Sequence, residues 1–416
     1  MSRRPVVDIC HPGAVNTTYA QVAELQARGY GGCFFTSFYY RGGGAGFLEA
    51  LPLGLGQHAL KELRRRQAPG IDPARVRNDP LPEILYLLAA RGGAPAAWKR
   101  RLLDWRNRRF DLRLAGTVAG RKPDLVIGND GAAEATFTAA RAAGIPTLLN
   151  QVIGHDALGA ALLEEEYRHD PGFAAAPPGR RDPQALATRK REVLLAERIL
   201  APSPYVRETL VEVGVAPERI SLLPYGVDSV RFRPAEGCRG AGPLRLLYVG
   251  QITQRKGLRY LLEAMRLLRD EEVELTLVGE IMVPQAALAP YRGLYRHLPN
   301  QPYHRIHEVF RDADVFVYPS LHEGSALAVY EALASGLPVV ATHNTGAVIA
   351  DGQEGFLVPI RDPEAIAAAL RRLCAEGALR ARMAEAARRL AETYTWRRYG
   401  DGLENVVKAM LAGREG

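Results

Sequence analysis

Ser320-Leu321-His322-Glu323-Gly324-Ser325-Ala326-Leu327-Ala328-Val329-Tyr330-Glu331-Ala332-Leu333-Ala334-Ser335-Gly336-Leu337-Pro338-Val339-Val340-Ala341-Thr342 sets two glutamates with seven residues between them. Glu323 follows the apolar run Val315-Phe316-Val317-Tyr318-Pro319, which reads as a buried strand, so this carboxylate belongs to a loop. Glu331 falls on a short helix that Gly336 and Pro338 end before a second strand begins at Val339. A glycine-containing loop opening a helix beyond a strand's carboxyl end aims unpaired N–H groups and the positive end of the dipole outward, at an anion. A carboxylate further along the helix can accept two hydrogen bonds from a ribose diol. The segment therefore suits a sugar–diphosphate–nucleoside. The plain alternative is a small-residue helix with exposed carboxylates, a common part of doubly wound α/β domains.

Working upstream, Leu244-Arg245-Leu246-Leu247-Tyr248-Val249-Gly250-Gln251-Ile252-Thr253-Gln254-Arg255-Lys256-Gly257 predicts a strand, a glycine turn, a cationic loop and a helix. Leu258, Leu261, Leu262, Met265 and Leu268 share one face of that helix. Arg255 offers a planar fork of donors and Lys256 a mobile point charge, a combination suited to a diphosphate. A solvated charged turn is the competing explanation. The chain contains six lysines against 48 arginines, so a lysine here stands out against its background.

These segments resemble the retaining glycosyltransferases of the GT-B fold, in particular glycosyltransferase family 4 (group 1). The resemblance runs through Pro224-Tyr225-Gly226-Val227-Asp228, Gly250 to Gly257, Leu277-Val278-Gly279-Glu280, Ala313-Asp314-Val315 to Ser320, the two-glutamate segment, Asp351 to Val358 and Tyr394-Thr395-Trp396. It implies an α/β protein with two Rossmann-like, doubly wound domains facing a cleft and a C-terminal helix crossing back to the first domain. It implies Arg255, Lys256 and Glu323 as the catalytic group, with Gly250, Gln251, Gly324, Ser325, Ala326, Leu327 and Glu331 binding the donor. Three features depart from the family. Gln251 stands where an arginine is common, Ser325 and Ala326 replace an aromatic residue and a glycine, and the first loop, His11 to Thr17, carries the single glycine Gly13.

At 416 residues the chain exceeds the size of one core, and two domains are expected. The reading assigns 1–230 to an acceptor-side domain, 231–243 to a Gly- and Pro-rich linker, 244–395 to the nucleotide-sugar domain and 396–416 to a returning helix. Strands are expected at Val6–Cys10, Cys33–Phe38, Leu125–Gly128, Thr147–Gln151 and Arg198–Ala201, and a surface excursion at Leu163 to Thr188. Asp312-Ala313-Asp314 imitates a metal-binding pair but occupies a strand-entry position, so no metal is expected. Neither Gly42-Gly43-Gly44 nor Gly128-Asn129-Asp130-Gly131 has the spaced fingerprint of a dinucleotide site, which disfavours an NAD-linked oxidoreductase.

The isolated cysteines Cys10, Cys33, Cys238 and Cys374 form no disulfide or zinc pattern, and no apolar run approaches a membrane span. The opening residues lead into a strand rather than a signal-peptide core. The expectation is a cytoplasmic protein, peripheral at the inner membrane face. Formal charge is +8. Arg64-Arg65-Arg66 carries part of it, and Trp98 to Phe110 mixes cations with two tryptophans. On a helix Trp98, Leu102, Trp105 and Arg109 share one side, which fits either an interfacial helix on anionic lipid or a surface helix packing its aromatics on the first domain. No recognition motif accompanies the charge, which argues against nucleic acid.

The function this implies is sugar transfer from a nucleotide diphosphate sugar with retention of configuration and no cofactor. The acceptor, lipid-linked or polysaccharide, would be met by Gly13, Asn129, Asp130 or His155. A GT-B protein that has lost catalysis, or a nucleotide-sugar epimerase or phosphorylase of the same architecture, is the alternative.

Overall fold

Strands buried on both faces read as continuous apolar runs and belong in the middle of parallel sheets. The computed structural model describes residues 4–13, 16–41, 66–91, 93, 95–173, 183–236 and 242–413. Gly42-Gly43-Gly44, Arg64-Arg65 and Cys238 lie outside them. The first half runs β1 (Val7–Cys10), α1 (Asn16–Ala27), β2 (Phe34–Thr36), β3 (Val76–Asn78), α2 (Pro80–Arg91), α3 (Ala96–Arg121), β4 (Leu125–Asn129), α4 (Glu134–Ala142), β5 (Thr147–Asn150), α5 (Asp156–His169), α6 (Pro183–Leu195), β6 (Arg198–Ala201), α7 (Pro204–Glu212) and β7 (Ile220–Leu222). All pairings are parallel, in the order β3-β2-β1-β4-β5-β6-β7.

The second half repeats the plan with β8 (Leu244–Val249), α8 (Leu258–Leu267), β9 (Val273–Val278), β10 (Arg296–Leu298), α9 (Ile306–Arg311), β11 (Val315–Tyr318), α10 (Leu327–Ala334), β12 (Val339–Thr342), β13 (Gly355–Val358), α11 (Pro363–Ala375), α12 (Gly377–Thr393) and α13 (Trp396–Ala412). Its parallel order is β10-β9-β8-β11-β12-β13. Strand order therefore reverses between β1 and β4 in one sheet and between β8 and β11 in the other. Ligands of open α/β sheets sit at the carboxyl ends of the strands flanking such a reversal. The loops that leave β8 and β11 there are Gly250–Gly257 and Pro319–Ala326.

The final helix, α13, leaves the second sheet and packs on α1. Thr395 caps it by accepting from the Arg398 N–H at 3.1 Å. Arg28, in the turn just after α1, pairs with Asp401 and donates to the Arg397 carbonyl at 2.9 Å, while Tyr399 and Leu403 are buried. A side chain on Gly226 would place its Cβ 2.3 Å from the Trp396 nitrogen, so glycine lets the chain cross here. Two doubly wound sheets with a returning C-terminal helix make this a GT-B fold.

The expected strands lie within two residues of those observed. The reading lacks β3, a polar three-residue edge strand in which Val76 alone is fully buried. It also misassigns one connection. Leu163 to His169 is not a surface excursion but the last turns of α5, and Glu166 within it is 2% exposed. The linker from Arg231 is anchored: Phe232 is buried edge-on against Phe310, with ring centroids 5.5 Å apart, and Arg231 lies 4.6 Å from the Tyr303 ring centroid. Asp314, half of the supposed metal pair, accepts from the backbone and guanidinium of Arg245 at 2.9–3.0 Å and so pins the start of β8.

Leu403 is fully buried under the returning helix. Leu403→Ala should lower the unfolding free energy by about 2–5 kcal/mol, as other leucine truncations in cores do. Chemical denaturation checks this; a cost under about 1 kcal/mol would mean that α13 is a loosely attached tail.

Candidate functional site

Gly257 ends the β8 loop with φ +74°, and a Cβ there would meet the Pro319 carbonyl oxygen at 1.9 Å. Glycine thus lets the β8 and β11 loops touch. They are then tied together: the Arg255 carbonyl accepts from the Leu321 N–H at 2.9 Å and from the Ser320 hydroxyl at 3.2 Å. The contact sets Arg255 and Lys256 beside Glu323. Arg255 donates to the His322 carbonyl at 2.7 Å and to the Glu323 carboxylate at 3.2 Å. The Lys256 ammonium touches the same carboxylate and lies 5.1 Å from the Tyr318 ring centroid. Lys256 is 7% exposed. Burial, helped by the cation of Arg255, pushes its amine well below the usual lysine range, and the Glu323 carboxylate against its Nζ works the other way.

Glu331 sits on α10. Burial pushes its carboxyl up to about 8, with Arg231 pulling it down. No described residue hydrogen-bonds to that carboxylate, so it is an acceptor held in reserve. Gly250 packs on the Tyr318 hydroxyl, and Gln251 is exposed with its carbonyl bonded to the Tyr248 hydroxyl at 2.7 Å. The departures at 325 and 326 leave the backbone unstrained. Neither has positive φ; Ala326 has φ −67° and starts α10, just ahead of Leu327. Ser325 is turned inward, its hydroxyl 2.8 Å from that of Tyr330 and donating to the Gly346 carbonyl at 3.0 Å.

The first half closes over these loops. The Glu323 carbonyl accepts from the Gly154 N–H at 3.0 Å, the Gly324 carbonyl accepts from the Ser203 hydroxyl, and the Tyr205 hydroxyl is 2.6 Å from His322 Nδ1. A Cβ on Gly324 would lie 1.7 Å from the Val152 carbonyl oxygen, so this glycine admits the other domain's backbone. Glu166 of α5 reaches across as well. It accepts from Gln254 at 2.7 Å, from the Tyr260 hydroxyl at 3.0 Å and from Arg361. Gln254 is the residue before Arg255, so a first-domain carboxylate braces the cationic loop.

Comparison with known proteins agrees with this geometry. Residues 12–226 match the family described as glycosyl transferase 4-like domain, and residues 243–376 match glycosyl transferases group 1. The chain belongs to the group 1 glycosyltransferases. It is 33% identical over 249 residues to a D-inositol 3-phosphate glycosyltransferase of Streptomyces avermitilis, covering 53% of each chain. It is 32% identical over 184 residues to a putative colanic acid biosynthesis glycosyltransferase of Salmonella typhimurium, covering 39% of this chain and 43% of that one. The chain thus spans about half the length of the curated relatives it matches. Among solved structures, sucrose-phosphate synthase of Thermosynechococcus elongatus superposes with TM-score 0.70 at 17% identity, over 99% of this chain and 100% of that one. HepE of Anabaena, in complex with UDP and glucose, gives TM-score 0.62 at 14% identity, over 98% and 100%. At those identities the likeness is one of fold.

Within this chain, the four residues expected to face the acceptor are held differently. Gly13 shares its backbone with His11 Nδ1 at 2.8 Å and opens the β1 loop. Asn129 is used up internally, donating to the Cys10 carbonyl at 2.9 Å and accepting from Asn150 at 2.8 Å and Thr18 at 3.3 Å. It clips the sheet at the β1/β4 reversal. Asp130 is pushed up to about 6 by burial, against the pull of Arg189. His155 caps α5, its Nδ1 accepting from the Ala157 N–H at 3.3 Å, and burial lowers its pKa. Its Nε2 has no hydrogen-bond partner among the described residues. Sequence reading missed Glu166, Arg361 and Glu192, whose carboxyl burial raises to about 7 while it accepts from the Gly131 and Ala133 N–H groups at 2.8 and 2.9 Å. Helical spacing of Glu166 through a supposed excursion was the one available signal.

Glu331 supplies a test of its burial. Its pKa rises from 4.5 unfolded to about 8 folded, so between those values the unfolded chain releases a proton the folded one keeps. The wild type therefore loses stability as pH climbs through that window. Glu331→Gln should match wild type in Tm below pH ~4.5 and gain on it progressively up to pH ~8, levelling off above. Equal melting curves across the series would place Glu331 in water.

Proposed function

We propose that the protein transfers a sugar from a nucleoside diphosphate sugar to an acceptor hydroxyl, retaining the anomeric configuration and using no metal. The observation that carries this is the Arg255–Lys256 pair, held by Glu323 at the β8/β11 reversal, with Lys256 buried. When the anomeric C–O bond breaks, its electron pair goes to the diphosphate oxygen. The sugar becomes oxocarbenium-like, the acceptor oxygen bonds to the anomeric carbon, and the acceptor's proton leaves with the departing phosphate. Arg255 and Lys256 stabilise the charge growing on that phosphate, with the strength that low dielectric gives preorganised cations. They supply the positive charge that a divalent ion would otherwise bring. Glu323 keeps the two cations in place and lies where the transferred sugar would sit. Glu331, whose carboxylate has no hydrogen-bond partner among the described residues, takes the ribose hydroxyls. The UDP complex of HepE and the glycosyltransferase relatives support a nucleotide sugar as donor.

Lys256→Ala should lower kcat by about 10²-fold or more with little change in Tm, because Arg255 still neutralises Glu323. Wild-type turnover should survive EDTA. Near-native turnover in the variant would remove Lys256 from the mechanism, and loss of activity in chelator would restore a metal to it.

At pH 9, where Glu331 is ionised, Glu331→Gln should weaken nucleoside diphosphate binding by about 1.5–3 kcal/mol, the range for a hydrogen bond to a charged group. Calorimetry reads this directly, and unchanged affinity would mean that the ribose lies elsewhere.

A further inference from the structure

We propose that the outer face of α2 and α3 is a docking surface for an anionic lipid bilayer. The proposal is independent of the sugar-transfer reading. Residues seven apart on an α-helix lie within about 20° of one another. Trp98, Trp105 and Leu112 therefore form one stripe along α3, and all three are exposed, Trp98 at 62%. The opposite side of the helix is buried at Phe110, Leu114 and Val118. Next to it α2 turns Leu81, Ile84, Leu85 and Leu88 to solvent at helical spacing, Leu88 at 63%, while Glu83 and Pro82 face inward. Large apolar side chains gathered on two neighbouring helices make a patch of the kind that marks an interaction site.

The charge around the stripe says what it meets. α3 carries eight Arg and Lys against two Asp, so most of the chain's +8 excess is concentrated on one helix. Arg101 and Arg108 flank the stripe on one side, Arg109 and Arg113 on the other. The last three line an open groove with Trp105 and Leu112. Tryptophan rings with aliphatic neighbours fit the boundary between headgroups and acyl chains, and the guanidinium groups reach back to lipid phosphates. A second copy of the same face would bring the two basic helices together and repel. A nucleic-acid backbone would satisfy the arginines and leave the leucine row of α2 in water. The arrangement also has a direction. Arg106, on the inner side of α3, pairs with Glu83 at 2.5 Å and lies beside Gly13 in the β1 loop. The bilayer would therefore meet the first domain on the helix that backs the loop at the mouth of its crevice.

The test uses full-length protein with vesicles of phosphatidylcholine alone or with 30 mol% phosphatidylglycerol. Sedimentation should show binding to the anionic vesicles alone, falling as salt rises from ~0.05 to ~0.5 M because the attraction is screened. Leu88→Ser combined with Trp98→Ser removes two side chains that contribute little to the core. It should weaken binding tenfold or more at unchanged Tm, and Trp emission should shift to the blue on binding in wild type alone. The proposal is overturned by wild type that stays in the supernatant, by equal or salt-insensitive binding to neutral vesicles, or by a variant that binds like wild type. A concentration-dependent dimer that the double variant abolishes would overturn it too, by making the face a contact between copies.

Discussion

An ammonium group taken out of water stays charged only beside a counter-charge, and in this protein that counter-charge is Glu323. The Lys256–Glu323 contact joins a loop leaving β8 to one leaving β11, and the structure around the site follows from keeping them together. Gly257 must be glycine for the loops to touch, and the Arg255 carbonyl must point inward to receive Leu321 and Ser320. A buried pair of this kind adds little to net stability, since desolvation cancels much of the attraction. Its use is positional. It fixes two cations at one point of the sheet, the kind of preorganisation that lets a site act on charge with little rearrangement.

The same economy appears in the sheets. Each reverses strand order once, and the residues that serve each reversal differ in kind. At β8/β11 Arg255, Lys256 and Glu323 are paired, and the Glu331 carboxylate has no hydrogen-bond partner among the described residues. At β1/β4 the amide of Asn129 is spent on Cys10, Asn150 and Thr18, closing the gap rather than lining it. One reversal gathers charged side chains, and the other is closed by amide hydrogen bonds.

The second half was legible because its chemistry is local in sequence. Arg255-Lys256 and Glu323 through Glu331 lie in contiguous runs flanked by buried strands, and periodicity places each on its loop or helix. The first half was less legible because its partners are far apart. Glu166 meets Gln254, Tyr260 and Arg361 across 88, 94 and 195 residues, and nothing in Glu164-Glu165-Glu166 distinguishes the buried carboxylate from its exposed neighbours. Asn129 looked available because spacing shows a polar residue at a strand end but not that its hydrogen bonds are already taken. Ala326 stands where the family has a glycine, yet its φ of −67° is ordinary for any residue. Edge strands such as β3 escape periodicity because a three-residue run has almost none.

The close approach at Gly324 bears on how separable the two halves are. Its Cα faces the Val152 carbonyl with no room for a methyl group, and Glu166 enters from the same side to hold Gln254, Tyr260 and Arg361. Arg361 even adopts a left-handed backbone at φ +63°, a conformation costly outside glycine, where Glu165 and Glu166 hold its guanidinium. The second half is thus finished by its neighbour. Transplanted onto a different first half, it would carry three donors aimed at an absent carboxylate and a glycine facing an absent carbonyl. Recombination at the 231–243 junction preserves both sheets, but it preserves the cationic loop only if the incoming half brings an acidic side chain to the place of Glu166.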